Sequence, residues 1–350
     1  DDTVIIIDEI QESAEIYNRI REFTRQFKSH FIITGSYLGK IYESDFRYSS
    51  GDVTTIPIYT LSFEEFLLAY DSALYEQYQN LSLDTPDSGN IYTLLKEAYD
   101  IYCQVGGYPK VVETYLETRS FEKAQGVLIK IIDTFTNESI RYFTDILDTR
   151  VFTQIFLSIC RGLKEDSISE ELQKLVTRDY SSNISKAVCN RAISWLYFSG
   201  IIGFCAKITE MDVLDFNPAS RCYFMDLGLA NYYLTLTGTD AATLSGTLNE
   251  NFVYINLKKR QDFPAEIAFE TPAFATYKGG EIDFVAQTLK NRVRYLIEVK
   301  AGKGTATTSL KALEHGKADH LLYLKGDTKG GIDKKVRTLP IYLLERFNFQ

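Results

Sequence analysis

Four apolar residues in a row, Val4, Ile5, Ile6 and Ile7, run into the acids Asp8 and Glu9, which predicts a buried strand ending in two carboxylates. Residues 12–27 then place Ile16, Ile20, Phe23 and Phe27 on one helical stripe. Phe31, Ile32, Ile33 and Thr34 read as the next strand, and residues 56–59 as another. Ser62, Phe63, Glu64 and Glu65 make a capping box that opens a helix. Residues 71–90, with Asn80, Asp84, Pro86, Asp87, Ser88 and Gly89, read as a polar linker. Helical pattern resumes at Tyr92 and is interrupted by Gly106, Gly107, Tyr108 and Pro109, with Pro109 starting the following helix.

Residues 120–161 are helical and amphipathic. Ser167 to Glu170 then cap a short helix through Val176, residues 177–182 are polar, and a second helix runs to Phe198, where Gly200 ends it. Strands at 201–208 and 221–226 follow, giving a winged-helix order. Asn183, Lys186, Asn190 and Arg191 could carry that second helix into a major groove. Its Ala187, Val188, Ile193, Trp195 and Leu196, in acidic surroundings, weigh more heavily toward a packing module. Residues 236–246 are rich in Gly, Thr, Ala and Ser and read as a linker. Thr247 and Glu250 have capping-box spacing, so Glu250 either satisfies a helix start or takes part in chemistry.

The chemistry concentrates in residues 281–300. In 281–286 period two sets Glu281 and Asp283 against Ile282, Phe284 and Ala286. In 293–299, Glu298 and Lys300 share a face with Arg294 and Leu296, opposite Val293, Tyr295, Ile297 and Val299. An acid on one strand beside an acid and a lysine on its neighbour suits a hard divalent cation next to a phosphate. The competing reading is a solvated hairpin of ordinary salt bridges. The apolar flanks and the further acid Glu250 argue against it. Residues 301–304 turn the chain into a helix around Leu310 and Leu313, and strands at 320–324 and 337–344 complete a mixed sheet.

Residues 246–253, the Glu281 to Val285 run and the Ile297 to Gly302 run together resemble the PD-(D/E)xK, restriction-endonuclease-like C-terminal domain of a prokaryotic AAA-type ATPase family, a domain usually labelled as of unknown function. The resemblance covers essentially the whole chain. It implies an α/β multidomain fold: a P-loop AAA-type ATPase core in its C-terminal half (1–70), a helical lid and connector (71–165), a winged-helix-like domain (166–235) and a mixed-sheet nuclease-like domain (240–350). It makes Asp8 and Glu9 a Walker B pair and Thr34 or Ser36 the sensor of the γ-phosphate. It makes Asp283 and Glu298 Mg²⁺ or Mn²⁺ ligands, with Glu250 completing the site, Glu281 behind it and Lys300 managing water.

Gly35, Gly39 and Lys40 imitate a phosphate loop, one residue short and with Ile41 where Ser or Thr belongs. No other segment matches Walker A, which the resembled family places well upstream of Asp1, so the ATPase part is expected to be truncated and unable to hydrolyse ATP. Where that family has Gly-Arg, this chain has Gly51 and Asp52, leaving only Arg47 nearby.

Composition narrows the class. The 350 residues are 45% hydrophobic and 24% charged, as in globular chains with more than one core. The longest apolar runs are too short for a membrane span, no signal peptide opens the chain, and the widely spaced Cys103, Cys160, Cys189, Cys205 and Cys222 suit free thiols, so a cytoplasmic location is expected. His30, His315 and His320 lack zinc spacing. The net charge of −9 hides an asymmetry: residues 251–350 hold 17 Lys and Arg against 11 Asp and Glu. That basic third fits a phosphate partner, with DNA the suspected nucleic acid, no membrane and a possible homo-oligomer. Two functions remain open: a metal-dependent nuclease coupled to an ATPase, favoured by a cation held at the carboxylates, or an ATP-gated DNA-binding or regulatory module with an inactive nuclease-like fold, favoured by an occluded or salt-bridged triad.

Overall fold

The computed structural model describes residues 3–35, 46, 51, 53–143, 148–164, 172–179, 185–215, 221–269, 271–302 and 304–350. The first strands, β1 (Val4–Ile7) and β2 (His30–Ile33), pair in parallel with Ile7 opposite Ile33. The helix expected between them is broken into a 3-10 turn (Ile10–Glu12), α1 (Ala14–Asn18) and α2 (Ile20–Gln26). Ser13 caps α1 through the Ile16 amide, and the Arg19 amide closes onto Ile16 O at 3.0 Å, which ends the helix there. Ile10, Tyr17, Ile20 and Phe46 form a small core of their own. Val4, Ile6 and Ile32 remain half or more exposed on the sheet.

Residues 56–59 are not in a strand. Among the described residues no strand pairs with it, and just beyond it the Leu61 amide donates to Gly107 O at 2.8 Å. The capping box is present at α3 (Phe63–Tyr70). The expected linker contains α4 (Ser72–Asn80), which Asp71 caps through the Leu74 amide and whose Leu74 and Tyr78 are buried, so only residues 81–90 connect. Next come α5 (Ile91–Val105), α6 (Pro109–Thr118, with Pro109 at its first position), α7 (Phe121–Tyr142), α8 (Arg150–Lys164), α9 (Leu172–Asp179) and α10 (Lys186–Phe198). The capping residues read at 167–170 and Asn183 lie outside the described residues.

After α10, Gly200 in the left-handed region (φ 68°) turns the chain into β3 (Ile202–Thr209), which is followed by β4 (Val213–Asp215), β5 (Arg221–Phe224) and α11 (Leu227–Leu236). The linker read at 236–246 is mostly helix: α12 (Ala241–Asp262) starts seven residues earlier than the Thr247 cap implied, because Asp240 accepts from the Ala242 and Thr243 amides. Glu250 is therefore mid-helix. Strands β6 (Ala273–Tyr277), β7 (Gly280–Gln287) and β8 (Arg294–Lys300) precede α13 (Thr307–Glu314), β9 (His320–Lys325), β10 (Gly331–Asp333) and β11 (Val336–Pro340), after which residues Ile341–Arg346 form a 3-10 helix, not the strand expected to 344.

Among the described residues these strands make one mixed nine-stranded sheet, in the order β10-β11-β9-β8-β7-β6-β3-β4, with β5 also on β3. β3 pairs in parallel with β6, Lys207 opposite Phe274, so the sheet crosses the boundary expected near 235–240. One sheet face, with Phe284, Ala286 and Ile297, joins the main core with Phe252 and Val253 of α12. The other, with Ile282, Val285 and Leu296, packs under Ala312 of α13. All five cysteines are buried and unbridged. No described helix is long and apolar enough to cross a membrane.

Candidate functional site

Strict alternation along β7 would keep Ile282 and Phe284 on one face, yet they belong to opposite cores. The register explains it: Ala273 pairs with Val285 but Ala275 with Ile282, so β7 carries one extra residue at Asp283 and Phe284. This is a β-bulge, a device that re-aims a side chain. The ladder between β7 and β8 also stops at Phe284 opposite Ile297. Beyond it the strands part, and Asp283 Oδ2 takes the place of a ladder carbonyl by accepting from the Val299 amide at 2.7 Å.

Glu298 and Lys300 stand on the other arm of this fork. Lys300 Nζ lies 3.3 Å from Asp283 Oδ2 and 2.8 Å from Glu298 Oε2, and Ser309 of α13 donates to Glu298 Oε1. Glu298 is 1% exposed, so burial, reinforced by the Asp283 charge, pushes its carboxyl up to about 7. Burial works against the Lys300 ammonium, but the Asp283 and Glu298 charges outweigh it and hold its pKa above the ordinary lysine value.

Glu250 reaches the fork from α12. Asn251 beside it binds both the amide (3.0 Å) and the carbonyl (2.8 Å) of Phe224, which fixes that turn of helix on β5. Tyr223 donates to Glu250 Oε1, and Arg221 Nη1 lies 3.5 Å from the same oxygen. Burial raises the Glu250 carboxyl, Arg221 opposes this and Asp283 adds to it. Arg221 Nη2 also pairs with Glu281 at 2.8 Å, and its guanidinium lies over the Phe274 ring at 4.4 Å.

Asp283, Glu298 and Lys300 are thus brought into direct contact, while Glu250 and Glu281 are gathered by Arg221. Sequence reasoning missed Arg221, Tyr223, Asn251 and Ser309. A lone arginine opening the apolar run Cys222, Tyr223, Phe224 and Met225 was the available signal, since a buried charge there needs partners. Among the described residues no group of three or more His, Cys, Asp or Glu side chains is placed to hold a metal ion. Two carboxylates, Asp283 and Glu298, are bridged by Lys300, and two carboxylates are the usual protein share of a Mg²⁺ site whose other positions go to water and phosphate. Asp283 Oδ1 is engaged in none of the contacts above.

At the other end of the chain, Thr34 donates to Asp8 Oδ1, the Glu9 amide donates to the same oxygen at 3.0 Å, and Gln11 donates to Glu9. The pairing of β1 with β2 makes that meeting inevitable, because Asp8 and Thr34 each follow the paired residues Ile7 and Ile33. Ser36, Arg47 and Asp52 lie outside the described residues, as do the residues following Gly35 in the imitation phosphate loop.

Residues 1–67 match the AAA domain family. Residues 96–240 match a domain of unknown function (DUF8612), and residues 245–344 match another (DUF4143). The chain is therefore similar to AAA-type ATPases at its start and to domains of unknown function beyond. No curated protein matches it. Arg221 falls in the second of these segments, and its partners Glu250 and Glu281 fall in the third.

Proposed function

We propose that the 245–344 segment carries a divalent-cation-dependent phosphodiesterase site for nucleic acid, linked to the AAA-type segment that precedes it. The observation that carries this is the meeting of Asp283 and Glu298 on Lys300 where a bulge and a fork open the sheet. Asp283 and Glu298 would hold Mg²⁺ or Mn²⁺, and Glu250 would orient the site from α12. A bound divalent cation there supplies a Lewis acid and an acidified water. Lys300 holds a proton-bearing amine beside the place a phosphate would take, and as an ammonium it cannot ligate the cation. In the AAA-type segment, Asp8 and Glu9 would serve Mg·ATP, with Thr34 or Ser36 as γ-phosphate sensor.

Four carboxylates, Glu250, Glu281, Asp283 and Glu298, share two cations, Arg221 and Lys300. The residual negative charge favours a divalent cation. The salt-bridging itself favours a second reading, an ATP-gated regulatory module that docks DNA without cutting it. Calorimetric titration of Mn²⁺ beside a nicking assay on branched and linear DNA separates the two. Asp283→Ala should abolish both metal uptake and cleavage, whereas Lys300→Ala should keep uptake and lose cleavage. Uptake undiminished in Asp283→Ala defeats the assignment, and uptake without any cleavage by the unaltered protein favours the regulatory module.

The pH dependence has a definite sign. Below its pKa of about 7 the Glu298 carboxyl is protonated, and it must release that proton before it can hold a cation. Apparent Mn²⁺ affinity should therefore rise by up to about tenfold per pH unit below that pKa and level off above it. Titrations in buffers of different ionisation enthalpy should reveal close to one proton released near pH 6, and the release should vanish in Glu298→Gln. A flat profile would remove Glu298 from the ligand set.

A further inference from the structure

A cavity of about 340 Å³ opens between the hairpin of β10 and β11, the first residues of β8 and β9, and the C-terminal residues. It lies away from the carboxylate fork. Tyr295 pairs with His320 where β8 and β9 begin, and Lys300 pairs with Lys325 where they end, a separation of roughly 16 Å at about 3.3 Å per residue.

Its lining is strongly one-sided in charge. Lys334, Lys335, Arg337 and Arg346 line it, the last with its Nη1 donating to Tyr78 O at 2.6 Å, and Asp84 is the one acid among the lining residues. Lys334 and Lys335 are the two turn residues between the paired Asp333 and Val336. Such a turn prefers Asn-Gly, and Lys334 adopts φ 54°, left-handed backbone that a lysine occupies at a cost of about 1–2 kcal/mol. Lys334 thus opposes local preference, and together with Lys335 it concentrates positive charge at the rim. Neither has an ion-pair partner among the described residues. Arg337, by contrast, is paired: Asp84 Oδ1 lies 2.7 Å from its Nη2, and its guanidinium sits over the Phe347 ring at 5.5 Å. Asp84 comes from the 81–90 connection, where Ser82 Oγ accepts from the Asp84 and Thr85 amides and sets the turn. Tyr295 and His320, stacked on one another at 5.0 Å and 27°, add aromatic rings to the lining.

We propose that this cavity is a binding site for a phosphate monoester carried on a planar ring, a mononucleotide or the 5′-phosphorylated end of a nucleic-acid strand, with the Asp84 carboxylate holding the anion's place on Arg337 until the ligand displaces it. The volume lies at the small end of the roughly 300–1,000 Å³ of ligand clefts, suited to one nucleotide. Arg337 offers the planar fork that a phosphate takes in two hydrogen bonds, and the two lysines supply point charges at the mouth. The site is independent of the reading of Asp283 and Glu298.

The test uses the full chain with three probes: inorganic phosphate, AMP, and a short oligonucleotide with either a 5′-phosphate or a 5′-hydroxyl end. Binding of AMP or the phosphorylated end is expected. Lys334→Glu combined with Lys335→Glu, both at exposed turn positions, should weaken it by at least about tenfold, the size of one lost charge-assisted contact. Asp84→Asn should tighten it, because Arg337 is released. Mn²⁺ uptake should change in neither variant. A preference for the phosphorylated oligonucleotide over AMP assigns the site to strand ends, and the reverse preference assigns it to free nucleotide. Failure of all three probes to bind the unaltered protein and Asp84→Asn, or binding indifferent to the lysine reversals, would overturn the proposal.

Discussion

Arg221→Ala is expected to lower stability by about 3 kcal/mol, the low end of what breaking a buried ion pair costs. Arg221 is only 7% exposed, and among the described residues it is the ion-pair partner of both Glu250 and Glu281, whose side chains are 28% and 31% exposed. Its removal leaves two half-buried acids facing each other and strips the guanidinium from the Phe274 ring, where β5, β6 and β7 come together. Because both acids keep some contact with water, the cost belongs near the bottom of the range. Arg221→Lys should recover only part of the loss, since an ammonium cannot span both carboxylates as the two guanidinium nitrogens do. The triple change Arg221→Met, Glu250→Gln and Glu281→Gln should recover most of it by removing the charges together. Urea unfolding followed by far-ultraviolet circular dichroism measures all three. A loss under about 1 kcal/mol for Arg221→Ala would mean that the acids are effectively solvated.

Gly107→Ala should have an effect of similar size by a steric route. A β-carbon there would collide with Leu61 O and stand 2.8 Å from Leu61 N, both of them backbone atoms that cannot rotate away. Two hydrogen bonds meet at this residue: the Leu61 amide onto Gly107 O at 2.8 Å, and the Gly107 amide onto Asp226 Oδ2 at 2.7 Å. Asp226 is 2% exposed and also caps α11 through the Leu229 amide at 3.0 Å. Displacing Gly107 leaves buried polar groups unpaired at about 1–3 kcal/mol each, so a total of about 3 kcal/mol or more is expected. The segment around Leu61 should then open before the sheet does. Hydrogen exchange should show the Leu61 and Gly107 amides losing protection while those of β8 and β9 keep theirs. Unchanged protection at Leu61 would show that the backbone absorbs the added methyl.

The parts of this architecture that announced themselves were those decided within a few residues. The Ser62 to Glu65 cap, Pro109 opening α6 and Gly200 closing α10 are local chemistry, and they form as read. That Glu298 and Lys300 share a face of β8 followed from strand periodicity, while their meeting with Asp283 depends on the bulge. What escaped depends on distant partners. Residues 56–59 have strand composition but, among the described residues, no strand beside them, and the bulge at Asp283 is set by β6. Asp240 won the start of α12 over Thr247 because it caps the Ala242 and Thr243 amides and Ala241 and Ala242 are strong helix formers, which outweighs the cost of Gly246. The junction of β3 with β6 joins residues more than sixty positions apart, and no local pattern encodes it.

That junction bears on how such chains are assembled from parts. The family matches divide the molecule between residues 240 and 245, yet β3, β4 and β5 lie before the division and β6 onward after it. Cut there, the later piece would lose the strand covering Ala273, Phe274 and Ala275, leaving a raw sheet edge of the kind that recruits foreign strands, and Glu250 and Glu281 would be parted from Arg221. A change on either side of the division therefore reaches the other through the β3–β6 pairing and the Arg221 ion pairs.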